Sequence, residues 1–256
     1  MVKPGFSPVE VLAGIGALAV VLTSVLTHRH GVLQSQLTAA AFQSPLPDVR
    51  VAEEKLAADA TAYRQAYDFS VDWFTHNISV WRPALARWKG KPGVHYLEIG
   101  SYEGRSAVWM LENILTDPTA TLTAIDVFDG PYTEKYVANI NRTGAAKKVT
   151  TITDFSQHAL RELQPDSYDI IYIDGSHAKQ DVLEDAVLSW RLLKEGGLMI
   201  FDDYRWAGCF VEGTSDRPSD FPKTAIDAFV ACFGDQLEVI HNSYQILVRK
   251  KVQGSV

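Results

Sequence analysis

Between Val94 and Asp203 five apolar runs, VHYLEI, ATLTAID, KVTTIT, YDIIYID and LMIFDD, alternate with helix-like stretches. VHYLEI is apolar enough for a buried parallel strand, and the runs read as successive strands of one sheet. SAVWMLENIL, YVANINRTGAA and SQHALREL fill three of the gaps, and VLEDAVLSWRLLKEGG, stopped by Gly196 and Gly197, fills the fourth. Residues 224–233 predict one more helix, and QLEVIH with YQILVRK, joined through Asn242 and Ser243, predict a closing antiparallel hairpin. The whole is an α/β pattern: a doubly wound Rossmann-like sheet, mostly parallel, with a C-terminal antiparallel strand.

Such a sheet brings the ends of its strands to one edge, and here those ends are acidic. Asp174 closes YDIIYID, and Asp202 with Asp203 closes LMIF. Three carboxylates at one edge repel unless a positive charge sits among them, and hard oxygen ligands suit Mg²⁺ or Ca²⁺. The first strand runs into LEIGSYEGRS, a glycine turn that offers backbone N–H groups and a helix start to a ligand. It departs from GxGxxG, because Tyr102 stands where the middle glycine would let a pyrophosphate approach. Asp126 ends the second strand, where a carboxylate can accept both hydroxyls of a ribose. These features favour a nucleoside cofactor that lacks a pyrophosphate, and S-adenosylmethionine is the common one.

The segment from about residue 73 to 250 resembles the class I S-adenosylmethionine-dependent methyltransferases. Within them it is similar to the small-molecule O-methyltransferases related to catechol O-methyltransferase and to the macrocin and novobiocin sugar enzymes. LEIGSYEGRSAVWM carries the resemblance to their first motif. It implies that Glu98, Gly100 and Gly104 shape the loop around the methionine part of the cofactor, with Tyr102 and Ser106 near its carboxylate. Asp126 matches the ribose-binding acid, and DFSQHAL carries the adenine contacts over to Ser156 and Gln157. Asp154 and Phe155 replace the small residues usual before that serine.

The same resemblance implies a Mg²⁺ ion held by Asp174, Asp202 and Asp203, which would grip neighbouring substrate oxygens and lower the pKa of the one to be methylated. His177 stands where the catechol enzyme has the lysine regarded as its base. An imidazole there is a reasonable proton acceptor, and it could equally cap the following helix or hold a metal-bound acid. Asp174 and His177 are therefore the candidate catalytic residues. Arg205 and Trp206 open a polar segment rich in Gly, Pro, Ser and Asp that is expected to cover the substrate. His28, His30, His76, His158 and His241 have no ligand-like spacing.

At 256 residues the chain supports one large core plus a peripheral segment, and the net charge of -7 argues against a nucleic-acid surface. Cys209 and Cys232, the two cysteines, read as isolated thiols. Val11 to Leu26 is an uncharged run, and with Thr27 it approaches the roughly 17 to 25 residues of a bilayer span. The expectation is a signal anchor or transmembrane helix within residues 1–30, with a cleaved targeting peptide or a packed helix as alternatives. Membrane association through 11–27 follows if the run is retained, and otherwise a cytoplasmic or organellar protein. Residues 31–50 read as a polar tether, 51–90 as a helical lid or as N-terminal helices packed on the core, interrupted at Asn77 and Pro83, and 91–256 as the cofactor-binding methyltransferase domain.

The expected activity is O-methyl transfer to a hydroxylated small molecule. Two rivals are a nicotinamide-dependent oxidoreductase and a membrane-tethered binding protein of the same fold without turnover.

Overall fold

The computed structural model describes residues 66–206, 221–252 and 254. The expected anchor, the tether and the first part of the helical lid lie outside the described residues, as do Cys209 and the segment after Trp206. Among the described residues no helix is long and apolar enough to cross a membrane.

Seven strands form one sheet: β1 (His95–Ile99), β2 (Thr121–Asp126), β3 (Val149–Thr153), β4 (Tyr168–Ile173), β5 (Leu193–Phe201), β6 (Leu237–Asn242) and β7 (Ile246–Lys250). Their order is β3-β2-β1-β4-β5-β7-β6, and β7 runs antiparallel to both of its neighbours while the other pairs are parallel. The expected mostly parallel sheet with its antiparallel C-terminal hairpin is thus present. The order reverses between β1 and β4, and a ligand crevice opens where connections diverge in this way.

Six α-helices are described: α1 (Ile78–Leu85), α2 (Arg105–Asn113), α3 (Tyr132–Arg142), α4 (Ser156–Glu162), α5 (Lys179–Leu192) and α6 (Pro222–Phe233). Side chains alternate along each strand, so two cores form. Tyr96, Leu122, Ile170, Ile200 and Leu247 pack with Trp81 and Leu85 of α1 and Trp109 of α2. On the opposite face Leu97, Ile125, Ile171, Met199 and Val248 pack with Ala186 and Trp190 of α5 and Phe229 of α6. Each fully buried Leu, Ile or Phe contributes about 1.5–3 kcal/mol, which is why these strands are apolar on both faces.

Two local expectations are corrected. Gly196 and Gly197 do not stop a helix: α5 ends at Leu192, and both glycines lie inside β5. There the register against β4 jumps, with Tyr168 opposite Leu193 but Ile170 opposite Leu198. Gly196 has φ +72°, and a Cβ on Gly197 would come within 2.7 Å of Leu193 and 2.8 Å of the Lys194 carbonyl oxygen, so the pair serves a bulge. Pro83 does not break α1 either. It lies inside that helix, and the chain passes into a 3-10 turn at Ala86–Trp88. Residues 67–74 precede it as an irregular strap, with a 3-10 turn at Thr75–Asn77.

Candidate active site

One cavity of about 930 Å³ opens at the C-terminal ends of β1, β2, β4 and β5, with the strap as a further wall. Gly100 to Glu103, with Arg105 and Ser106, line one side of it. Gly100, at φ +81°, is required by close approach, because a Cβ there would lie 2.0 Å from the Asp174 carbonyl oxygen. Tyr102 also adopts a left-handed backbone, φ 48°, a cost that a residue with a Cβ bears only where its surroundings hold it. Its ring packs against Tyr132 at 4.9 Å and Trp73 of the strap at 5.3 Å.

Asp126 ties this loop down. Its Oδ2 accepts from the backbone N–H of Ser101 at 2.8 Å and of Tyr102 at 2.9 Å, and its Oδ1 from Phe128 N at 3.1 Å and Tyr132 Oη at 3.3 Å. Glu98 and Gly104 are not on the cavity wall. Glu98 is wholly buried beneath the loop, where Tyr96 Oη donates to it at 2.6 Å. Burial pushes its carboxyl up to about 7, against the lowering effect of hydrogen bonds from Tyr96, Ser101 and Ser106. Gly104, at φ +82°, starts α2 with the ring of Tyr136 3.0 Å from where a Cβ would stand. Ser106, Ser156 and Gln157 all line the cavity, and so do Asp154 and Phe155.

The acids gather where β4 and β5 end. Tyr172 lies two residues before Asp174 and therefore on the same strand face. Its hydroxyl is 2.8 Å from Asp174 Oδ2 and also contacts Asp202 Oδ2. A phenol has one proton, so it serves one carboxylate and the other contact needs a proton on the acid. Burial first, then the charges of Asp202 and Asp203, push the Asp174 carboxyl far above the usual range, and burial raises that of Asp202 as well.

Asp202 is held from three sides. Gln245 Nε2 donates to Oδ2 at 2.8 Å, Asn77 Nδ2 approaches the same oxygen at 3.4 Å, and the Asp203 N–H donates to Oδ1 at 2.7 Å. Gln245 in turn accepts from Trp81 Nε1 at 2.8 Å, so a buried relay links α1 to this acid. Asp203, at φ 56°, turns away from the other two. Its Oδ2 meets His177 Nε2 at 2.7 Å and its Oδ1 accepts from Tyr244 Oη at 2.6 Å. The hydrogen bond with Asp203 raises the pKa of His177 above its ordinary value. Trp206 stacks on the His177 ring at 4.5 Å and 15°, whereas Arg205 is exposed and off the wall.

Every predicted cofactor and acid residue except Glu98 and Gly104 thus faces one void. Tyr172, Asn77, Tyr244 and Gln245 are not singled out by the sequence. Only Tyr172 carries a signal, its spacing from Asp174. The other three lie far from the acids along the chain, and only the antiparallel hairpin and α1 bring them in.

Residues 97–204 match the model of a family described as a methyltransferase domain. Over these residues the chain is similar to the methyltransferase domains of that family. Its curated relatives include an uncharacterised protein of Acanthamoeba polyphaga mimivirus, 29% identical over 132 residues, covering 48% of this chain and 58% of the relative. A protein of Mycobacterium sp. (strain JLS), named provisionally an O-methyltransferase, is 29% identical over 152 residues, covering 58% of this chain and 66% of its own. The chain thus spans less than two thirds of the length of both. Among solved structures the methyltransferase fold matches the O-methyltransferase of Bacillus cereus in complex with SAH, with a TM-score of 0.53 and 18% identity over 84% of this chain and 96% of that one. TomG of Streptomyces achromogenes, an O-methyltransferase solved with SAM, matches with a TM-score of 0.54 and 14% identity over 86% and 96%. MycE, solved with Mg and SAH, matches with a TM-score of 0.51 and 18% identity over 78% and 55%.

Proposed function

We propose that this chain is an S-adenosylmethionine-dependent O-methyltransferase that acts on a hydroxyl group of a small molecule. The observation that carries the reading is that the glycine loop, Asp126 and Ser156–Gln157 share a single cavity with the His177–Asp203 pair. The names of the mycobacterial relative and of the solved neighbours support the same chemistry.

When bound, S-adenosylmethionine supplies a methyl group on a positively charged sulfur and leaves as a neutral thioether. The chain's own work is to align an acceptor oxygen and to take its proton. Asp203 accepts from Nε2 of His177, which leaves Nδ1 as the basic nitrogen. Trp206 fixes the ring plane by stacking, and Tyr244 fixes Asp203. Tyr102, Tyr132 and Trp73 form an aromatic cluster beside the loop.

A divalent cation on Asp174, Asp202 and Asp203 is the second reading, favoured by the gathering of three acids in which burial and the charges of Asp202 and Asp203 raise the Asp174 carboxyl. The side chains as placed do not form a ligand cage. Asp202 is occupied by Gln245, Asn77 and the Asp203 amide, and Asp203 by His177 and Tyr244. Among the described residues no group of three or more His, Cys, Asp or Glu side chains is arranged to hold a metal ion. No step is therefore assigned to a cation.

An acceptor library incubated with methyl-labelled S-adenosylmethionine, with added Mg²⁺ and with chelator, tests both readings. Label on an acceptor oxygen in both arms supports the His177–Asp203 base alone. Label only with Mg²⁺ supports the cation, and no transfer to any hydroxyl removes the function. Membrane anchoring through residues 11–27 is a separate proposal resting on that uncharged run. Release of the chain from membranes by high salt would remove it.

A further inference from the structure

Asn139 is a wholly buried amide in α3 that the proposed reaction does not use. A buried amide is costly unless it is hydrogen-bonded, so its partners carry information. Its Nδ2 donates to the Asp68 carbonyl oxygen and to the Glu103 carbonyl oxygen, each at 3.0 Å, and its Oδ1 accepts from the Asp68 N–H at 2.9 Å. One side chain therefore grips both backbone polar groups of a strap residue and, with its second N–H, the backbone of the glycine loop.

Further ties run beside it. The Glu103 carboxylate, itself buried, accepts from the Ser70 N–H at 2.6 Å. Arg105, the first residue of α2, donates to the Val71 carbonyl oxygen at 2.9 Å and pairs with Asp72 at 3.4 Å. The irregular strap has no ladder of its own, so its backbone groups depend on partners of this kind. The stitched segments share the cavity, because Val71, Asp72 and Trp73 line it together with Tyr102, Glu103 and Arg105. Tyr67, at the start of the strap, is held differently: its hydroxyl donates to Glu112 of α2.

We infer that Asn139 is a positioning residue that makes the strap and the glycine loop move as one unit, so that cofactor bound at the loop fixes the strap wall of the cavity. This rests on the S-adenosylmethionine reading above. Asn139 is not on the cavity wall; its effect passes through the Glu103 carbonyl group and the backbone of Asp68. Such coupling is reciprocal, so a strap held by Asn139 returns to the cofactor, as affinity, what the cofactor gives the strap as order.

The test is hydrogen exchange read by mass spectrometry on the full chain, with and without S-adenosylhomocysteine, beside calorimetric binding of the same ligand. In the wild type, saturating ligand is expected to slow exchange in a peptide spanning residues 67–74 about tenfold. Asn139→Leu keeps a similar shape and removes all three hydrogen bonds. It is expected to cut that slowing to less than about twofold and to weaken S-adenosylhomocysteine about five- to tenfold, while the β1 peptide stays as protected as in the wild type. Tyr67→Phe loosens the strap from α2 and leaves its ties to the loop, so it is expected to keep the slowing in full. A wild-type strap whose exchange ignores bound ligand, an Asn139→Leu strap that still responds fully, or a response lost equally in Tyr67→Phe would overturn the inference. If Asn139→Leu does not fold, Glu103→Ala, which cuts the Ser70 tie, decides it: a lost response supports the coupling and a retained one overturns it. Failure of the wild type to bind S-adenosylhomocysteine would sink the cofactor reading itself, a result distinct from normal binding that leaves strap exchange unchanged.

Discussion

His177 Nε2 and Asp203 Oδ2 are 2.7 Å apart, each placed by the end of its own strand, β4 and β5, which are parallel neighbours in the sheet. Under the proposed function, this pairing leaves the other nitrogen of the imidazole to take a substrate proton.

Replacing His177 by Gln removes the proton acceptor while keeping an amide of similar reach. Turnover is expected to fall by about 10²- to 10³-fold, with S-adenosylhomocysteine affinity unchanged. Steady-state kinetics beside calorimetry read the two quantities separately, and equal turnover in the variant would remove His177 as the base. In the wild type the rate is expected to rise with pH through the His177 pKa, which Asp203 raises above the ordinary value. The stability that the pair contributes runs the opposite way: it is fully present below the unfolded pKa and is lost as pH rises through the folded one.

Tyr244 donates to Asp203 at 2.6 Å and so holds the acid that holds the base. Tyr244→Phe deletes one hydrogen bond of about 1 kcal/mol, so turnover should drop roughly fivefold. Asp203→Asn should cost more, because an amide no longer stabilises the imidazolium that forms. An Asp203→Asn enzyme as active as Tyr244→Phe would contradict this order.

Gln245 bridges Trp81 Nε1 and Asp202 Oδ2, at 2.8 Å on each side, and is 2% exposed. Gln245→Met would leave a buried donor and part of a buried carboxylate unsatisfied, at a cost of about 2–3 kcal/mol. For a chain of this size the melting temperature should fall by roughly 4–12 °C. Differential scanning calorimetry checks this, and an unshifted melt would show that the relay adds nothing.

Glu98 is wholly buried, and its carboxyl is raised from 4.5 to about 7. The folded state therefore binds more protons than the unfolded one between these values, and stability falls as pH rises across that window. The loss approaches about 3 kcal/mol at about 1.4 kcal/mol per pH unit. Glu98→Gln should flatten that slope, giving a variant that gains on the wild type at pH 8 relative to pH 4.5. Parallel melting curves at the two pH values would contradict the assignment.

The sheet was legible because strands buried on both faces must be apolar throughout, and the acids at their ends interrupt that pattern. The loop, Asp126, Asp174, Asp202, Asp203 and His177 all follow strands, so local pattern located them. Gly196 and Gly197 misled because glycine marks a helix stop and a strand bulge alike, and only the register with β4 distinguishes the two. Pro83 misled because one proline near the end of a short helix removes little that packing of Trp81 and Leu85 does not offset. Asn77, Tyr244 and Gln245 enter through contacts between distant elements, which carry no period in the sequence.

The central claim is methyl transfer to an acceptor oxygen with His177 taking the proton. The measurement that tests it most directly follows methyl label from S-adenosylmethionine into a hydroxylated acceptor, by mass spectrometry, for the wild type and for His177→Gln at equal cofactor occupancy. The account predicts label on oxygen with the wild type and at most about one hundredth of that rate with the variant. Wild-type enzyme that binds the cofactor and transfers nothing to any hydroxyl, or equal rates in the two proteins, would contradict it.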